Sequence, residues 1–150
     1  MEKANNLSGI IQLIKKQPIF VQLTDQEAEE LASLFIEQHV VPDEMIVKEG
    51  DPVDSIYLIG RGTADVRVVT YPDNQPKVNS VAILSTGDTI GLNETGFYSL
   101  SGKRTATVVA MTDMQVFRLS VAAFHGFSLS HTHVSEVMRG GSSNIFEDKF

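Results

Sequence analysis

The residues that could do chemistry gather in one stretch, Gly87-Asp88-Thr89-Ile90-Gly91-Leu92-Asn93-Glu94-Thr95-Gly96, followed after Phe97 and Gly102 by Lys103-Arg104-Thr105-Ala106-Thr107-Val108. Three glycines, one carboxylate (Glu94) and one guanidinium (Arg104) fit the needs of a small phosphate. Free backbone N–H groups near a short helix start would cradle the anion, and a fixed arginine would neutralise it. Glu94 could accept hydrogen bonds from sugar hydroxyls on the same ligand. The plainer reading is a connection whose glycines serve turns and whose Arg and Glu are solvated; a single glycine-rich motif does not separate the two.

The elements that must position these residues are strands. Val78-Asn79-Ser80-Val81-Ala82-Ile83-Leu84 precedes the stretch and ends in a Ser-Thr-Gly-Asp turn, and the β-branched run 105–110 follows it, with Arg104 at its entrance. Further short strands are predicted at 39–41, 45–51, 55–62, 63–69 and 115–119, separated by Gly, Pro, Asp and Asn turns, of which Pro72-Asp73-Asn74-Gln75-Pro76 is the clearest hairpin loop. Upstream the hydrophobic period is 3.6. Leu7, Ile10, Ile11 and Ile14 share one helical face and Pro18 ends that helix. Thr24 and Glu27 form a capping box for a second helix running to about Glu37, with Ala28, Leu31, Leu34 and Phe35 apolar, and Phe20 is expected between the two. Ser120 caps a last helix carrying Val121, Ala122, Phe124 and Leu129, continued by Val134, Val137 and Met138. Gly140 and Gly141 break it, and Ile145, Phe146 and Phe150 make an apolar tail. The expected organisation is one domain of three parts: helices over 1–38, a β roll over 39–119, and a helix with tail over 120–150.

Composition narrows the function. The 150 residues suffice for one core, and 21% charged against 42% hydrophobic is ordinary for a globular chain. Cysteine is absent, which removes disulfides, thiolate chemistry and Cys-based zinc sites. A net charge of −7 speaks against nucleic acid as a partner of this chain alone, and makes Arg104 the best local source of positive potential for an anionic ligand. No apolar run is long enough to span a bilayer and no signal peptide opens the chain, so a cytoplasmic location is expected. Arg61 and Arg67 read as surface charges. His125, His131 and His133 lack metal-ligand spacing on a firm element, so His131-Thr132-His133 reads as a solvated helix end rather than a zinc site. No nucleophile or acid–base motif is present, and no enzyme is expected.

Taken together, these motifs resemble the cyclic nucleotide-binding domain family over roughly residues 10–138. The carriers are Glu49-Gly50-Asp51-Pro52-Val53-Asp54-Ser55-Ile56-Tyr57-Leu58-Ile59-Gly60-Arg61-Gly62, which looks like its strand–turn–strand signature; the run from Gly87 and Gly91 to Arg104-Thr105-Ala106-Thr107-Val108, which fits its phosphate-binding cassette; and Phe20, Leu23 and Thr24, which match its N-terminal helical motif. The resemblance implies a mainly β protein, an eight-stranded jelly roll with an N-terminal helical pair and a C-terminal helix, acting as a sensor of cyclic AMP or cyclic GMP. It implies no cofactor beyond that ligand. By resemblance, Arg104 pairs with the cyclic phosphate, Gly91 gives close backbone approach, and Leu92, Asn93, Thr105 and Ala106 border the ligand. The family sets a ribose-binding glutamate directly after the glycine, where this chain has Leu92. The segment to Arg104 is longer than usual, and a two-residue insertion would carry Glu94 into that place. The Thr105 hydroxyl is one that members responding to cyclic GMP use, while cyclic AMP is the default. In the family the last helix lids the base, which makes Phe124, Phe127, Phe146 and Phe150 lid candidates. Neither a helix-turn-helix nor a kinase or channel segment accompanies the roll, so an effector domain elsewhere or a partner protein is expected. The alternative is a degenerate roll serving as an interaction module without nucleotide.

Overall fold

The computed structural model describes residues 2–91 and 102–131. Helix α1 (Glu2–Lys15) stops before Pro18, and a short 3-10 turn over Pro18–Phe20 leads to α2 (Asp25–Ala32). The Thr24 hydroxyl accepts from the Glu27 N–H while the Glu27 carboxylate accepts from the Thr24 N–H, so both halves of the capping box form. α2 ends at Ala32, short of the Glu37 end that its pattern predicts, and β1 (Ile36–Val40) begins before residue 39. Leu34 and Phe35 still pack inward from the connecting turn, so the apolar spacing marks burial beyond the helix that it suggests.

The remaining strands are β2 (Met45–Val47), β3 (Ser55–Arg61), β4 (Ala64–Thr70), β5 (Lys77–Leu84), β6 (Thr89–Ile90), β7 (Thr107–Ala110) and β8 (Met114–Ser120); α3 (Val121–Ser130) follows. They form two antiparallel four-stranded sheets, ordered β1-β8-β3-β6 and β2-β7-β4-β5. This is the jelly roll with flanking helices. The β4–β5 hairpin turns at Pro72–Asn74, with Asp73 and Asn74 at positive φ, a conformation that short polar side chains tolerate. β6, whose two residues lie in the glycine-rich stretch, gives no readable alternation and is not foreseen. β7 starts at Thr107, so Arg104 lies ahead of the strand rather than at its first residue.

β3 explains the layering. Its first five residues are all buried, because both faces of its sheet are covered. Ile56 and Leu58 pack with Phe117 and Leu119 against α1, α2 and α3. Tyr57 and Ile59 face the other way, toward Val40, Val47, Ala64, Val108 and Val116 between the sheets. The Ser120 hydroxyl caps α3 by accepting from the Ala123 N–H at 3.0 Å. Phe124 and Phe127 are buried beside Phe20, with ring centroids of Phe20 and Phe124 6.2 Å apart. Leu129, expected on the apolar face, is exposed: the two phenylalanines, three residues apart, already fill the contact stripe of this short helix.

Candidate ligand site

Arg104 sits where β3, β6 and the segment before β7 meet. Its backbone is clamped on both sides by the Glu49-Gly50-Asp51 turn: the Arg104 N–H donates to the Asp51 carbonyl at 2.8 Å, and the Gly50 N–H donates to the Arg104 carbonyl at 2.9 Å. Gly50 takes a φ of 91°, which only glycine adopts without strain. Glu49 extends the clamp. Its N–H donates to the Thr107 hydroxyl at 2.9 Å, and its carboxylate accepts from the Val69 N–H at 3.1 Å, beyond the last residue of β4 that pairs with β7. The backbone of this turn thus holds Arg104 in place, and Glu49 ties the turn to β4 and β7.

The Arg104 side chain is buried, an uncommon state for a guanidinium. Nη2 donates to the Ser55 carbonyl at 2.8 Å and the Ser55 hydroxyl at 3.2 Å. The Tyr57 ring lies 6.0 Å from the guanidinium carbon, within cation–π range. Among the described residues Asp54 is the carboxylate paired with it, its Oδ1 3.8 Å from Nη2, too far for a hydrogen bond. Nη1 is buried and has no hydrogen-bond partner among the described residues. Burial pulls the Arg104 pKa below its ordinary value, with Tyr57 and Asp54 acting in the opposite direction. A guanidinium stays charged in proteins, so a buried cation with an open donor favours an incoming anion.

Gly91 borders that open donor. Its φ is 84°, and a Cβ placed there would lie 2.7 Å from Arg104 Nη1 and 3.1 Å from the Ser55 carbonyl. Any side chain would occupy the space beside Nη1. The turn leading to it is fixed from β3: the Ile59 N–H donates to the Asp88 carbonyl and the Gly87 N–H to the Ile59 carbonyl, both at 2.9 Å, and the Asp88 carboxylate accepts from the Ser85 N–H at 2.8 Å. Gln17 Nε2, at the end of α1, donates to the Gly87 carbonyl at 3.3 Å and the Leu13 carbonyl at 3.0 Å.

Of the residues expected at the site, the structure brings Gly91 and Arg104 together. Thr105 is exposed and Ala106 half-buried in the segment before β7. Leu92, Asn93 and Glu94 lie outside the described residues, as do His133, Phe146 and Phe150. Phe124 and Phe127 are not lids in this arrangement; they belong to the helix-side core, because apolar rings find more cover against Phe20 and sheet β1-β8-β3-β6 than over an open roll. His131 departs from the solvated helix end expected of it: its Nδ1 lies 2.9 Å from the Phe127 carbonyl and its Nε2 pairs with the Glu30 carboxylate of α2. Among the described residues no three His, Asp or Glu gather as a metal site, and no helix is long and apolar enough to cross a membrane. Sequence reasoning missed Ser55, Asp54 and Arg118 as partners around Arg104. The signal was the polar Asp54-Ser55 pair opening an apolar strand that is buried on both sides.

Two antiparallel four-stranded sheets packed around an apolar interior, with a buried arginine where β3, β6 and the segment before β7 meet, define a jelly-roll domain. Residues 37–131 match the cyclic nucleotide-binding domain family, and the chain belongs to it; the family is one of regulatory nucleotide-binding domains. A cAMP-dependent protein kinase regulatory subunit from Colletotrichum orbiculare is 32% identical over 115 residues, covering 74% of this chain and 26% of the relative. Cyclic nucleotide-gated ion channel 11 from Arabidopsis thaliana is 32% identical over 114 residues, 73% of this chain and 18% of the relative. The chain therefore spans about a quarter or less of these curated relatives. The fold is shared with the N-terminal domain of a transcriptional regulator from Streptomyces coelicolor, at a TM-score of 0.74 and 22% identity over 88% of each chain.

Proposed function

We propose that this domain binds a cyclic nucleotide, with cyclic AMP the first ligand to test, and passes occupancy to its flanking helices. The observation that carries this reading is the buried Nη1 of Arg104 beside Gly91, unpaired among the described residues. The cyclic phosphate would take that donor together with backbone N–H groups of the glycine-rich segment, while Thr105 and Ala106 flank it and Glu94 is assigned the ribose hydroxyl. Similarity to a cAMP-dependent kinase regulatory subunit supports the ligand class.

A route to the helices starts at the same guanidinium. Arg104 holds Ser55, the Ser55 hydroxyl donates to Asp54 at 2.9 Å, and the Asp54 carbonyl accepts the Val121 N–H at 2.9 Å where α3 begins. Gln17 ties α1 to the glycine-rich turn. A phosphate that moves Arg104 or that turn thus acts on both helical ends. An effector domain or partner protein would read the movement.

Calorimetric titration with cyclic AMP and cyclic GMP tests the reading, with Arg104→Ala as the control. Native protein should bind one of them, and Arg104→Ala should lose about 2 kcal/mol or more of binding, the scale of a partly buried charge-assisted contact. A folded native chain that binds neither nucleotide would leave the interaction-module reading in its place.

A further inference from the structure

The charge around Arg104 is shared in a way that its ligand role alone does not require. Asp54 stands between two guanidiniums: its Oδ2 is 3.5 Å from Arg118 Nη2, and its Oδ1 is 3.8 Å from Arg104 Nη2. Arg118 reaches this place through sheet register. It lies opposite Tyr57 on the neighbouring strand, and Tyr57 is the ring next to Arg104. Directly opposed residues on antiparallel strands share a face.

The Asp54 side chain is mostly exposed, at 72%, and therefore has room to turn. A carboxylate beside a guanidinium ordinarily closes to hydrogen-bond distance, often through two parallel contacts. Asp54 does not close on Arg104. Its Oδ1 instead accepts the Ser55 hydroxyl, and its Oδ2 faces Arg118. Arg104 Nη2 is occupied by the two Ser55 oxygens, and Nη1 has no hydrogen-bond partner among the described residues.

We propose that Arg118 is a positioning residue for ligand capture: it retains the Asp54 carboxylate on its own side and so prevents Asp54 from neutralising Arg104 in place of the ligand's phosphate. The proposal rests on the cyclic nucleotide reading of the site. It assigns Arg118 no contact with the nucleotide. Its effect is on competition. Without Arg118, the carboxylate turns to Arg104, and the phosphate must displace an internal anion before it binds.

The test is a set of substitutions read in two ways. By calorimetry, Arg118→Met should weaken cyclic nucleotide binding about tenfold, the scale of one charge-assisted hydrogen bond. Adding Asp54→Asn should restore most of that loss. Adding Asp51→Asn instead returns the same unit of charge from a carboxylate that Arg118 does not pair with, and should restore little. Equal rescue by the two would mean that Arg118 acts through net charge alone, and would overturn the proposal; so would unchanged affinity in Arg118→Met. The second readout needs no nucleotide. In the ligand-free protein, the Arg104 side-chain nitrogen resonances should shift in Arg118→Met. In an Asp54→Asn background, the same substitution should leave them in place. Resonances that do not respond to Arg118→Met would refute the placement of Asp54 by Arg118 even in a chain that binds no nucleotide, whereas absent native binding with the expected shifts would overturn the ligand reading, and the capture role with it, while leaving that placement standing.

Discussion

β3 is buried on both sides, and its two sides meet different chemistry. Toward the helices, Ile56 and Leu58 enter a cluster of aliphatic and aromatic groups that includes Ile14, Phe20, Leu31 and Phe124. Toward the roll, Tyr57 and Ile59 belong to a second apolar cluster that borders Ser55 and Arg104, two of the three polar residues buried among the described ones. The first side gains stability from burial without polar cost. The second carries a desolvated cation whose donors are incompletely used among the described residues, a state that folding alone gives no reason to keep. The contrast separates what holds the domain together from what it is for. It also places the two within one strand, so that a change on either side reaches the other through the backbone of residues 55–59.

The largest expected effect strikes the helix side. Phe20→Ala empties a fully buried ring position and should cost about 3–5 kcal/mol of stability in denaturant titration. Affinity per folded molecule should change far less, and an equal loss of affinity would dissolve the distinction between the two sides. On the roll side, Gly91→Ala forces a methyl to within 2.7 Å of Arg104 Nη1 at a φ of 84°. It should cost about 1–2 kcal/mol of stability from the backbone conformation, with nucleotide binding reduced beyond what that loss explains. Retained full affinity in a folded Gly91→Ala protein would show that the space beside Nη1 is not where the anion sits.

The smallest effect belongs to the seam between α3 and α2. The His131 ring packs on Phe127 at 4.5 Å between centroids, and both of its nitrogens face acceptors, the Phe127 carbonyl and the Glu30 carboxylate, so the doubly protonated ring fits best. Its pKa is raised above the ordinary value of 6.5, first by the Phe127 carbonyl and then by Glu30, against some desolvation. A raised folded-state pKa contributes stability that is fully present below the unfolded value and is lost as pH rises through the folded one. Melting temperature should therefore fall slightly more with rising pH, across that interval, in the native chain than in His131→Asn. Parallel curves for the two proteins would remove the pairing from the account.

Much of this was legible before any coordinates. The Thr24–Glu27 box, the stop at Pro18, the Ser120 cap and the Pro72 hairpin are local, and each shows in a few adjacent residues. Arg104 and Gly91 stood out because cation and glycine belong to the same short stretch. The grip of Ser55 on Arg104 was not legible, since it joins residues 49 positions apart and depends on which strands become neighbours. The place of Phe124 and Phe127 was misread for a related reason: helical spacing says that two rings share a face, but not which of two apolar surfaces that face meets. The end of α2 was overrun because Leu34 and Phe35 keep the helical rhythm while packing from a turn. The ribose role given to Glu94, like those of Leu92 and Asn93, lies outside the described residues.

Gln17 has a consequence of its own. A single carboxamide nitrogen serves two carbonyls, one in the preceding helix α1 at Leu13 and one in the turn before Gly91, at Gly87. The hold on Gly87, at 3.3 Å, is near the limit for such a contact, with only a few tenths of an ångström of slack. The joint behaves less like glue than like a clutch. A contact of that length would carry small displacements of the turn to the helix end and let larger ones slip. Amide exchange at the last turn of α1 and at Gly87 should then keep common time while the clutch is engaged, and separate clocks once Gln17 is shortened to Ala.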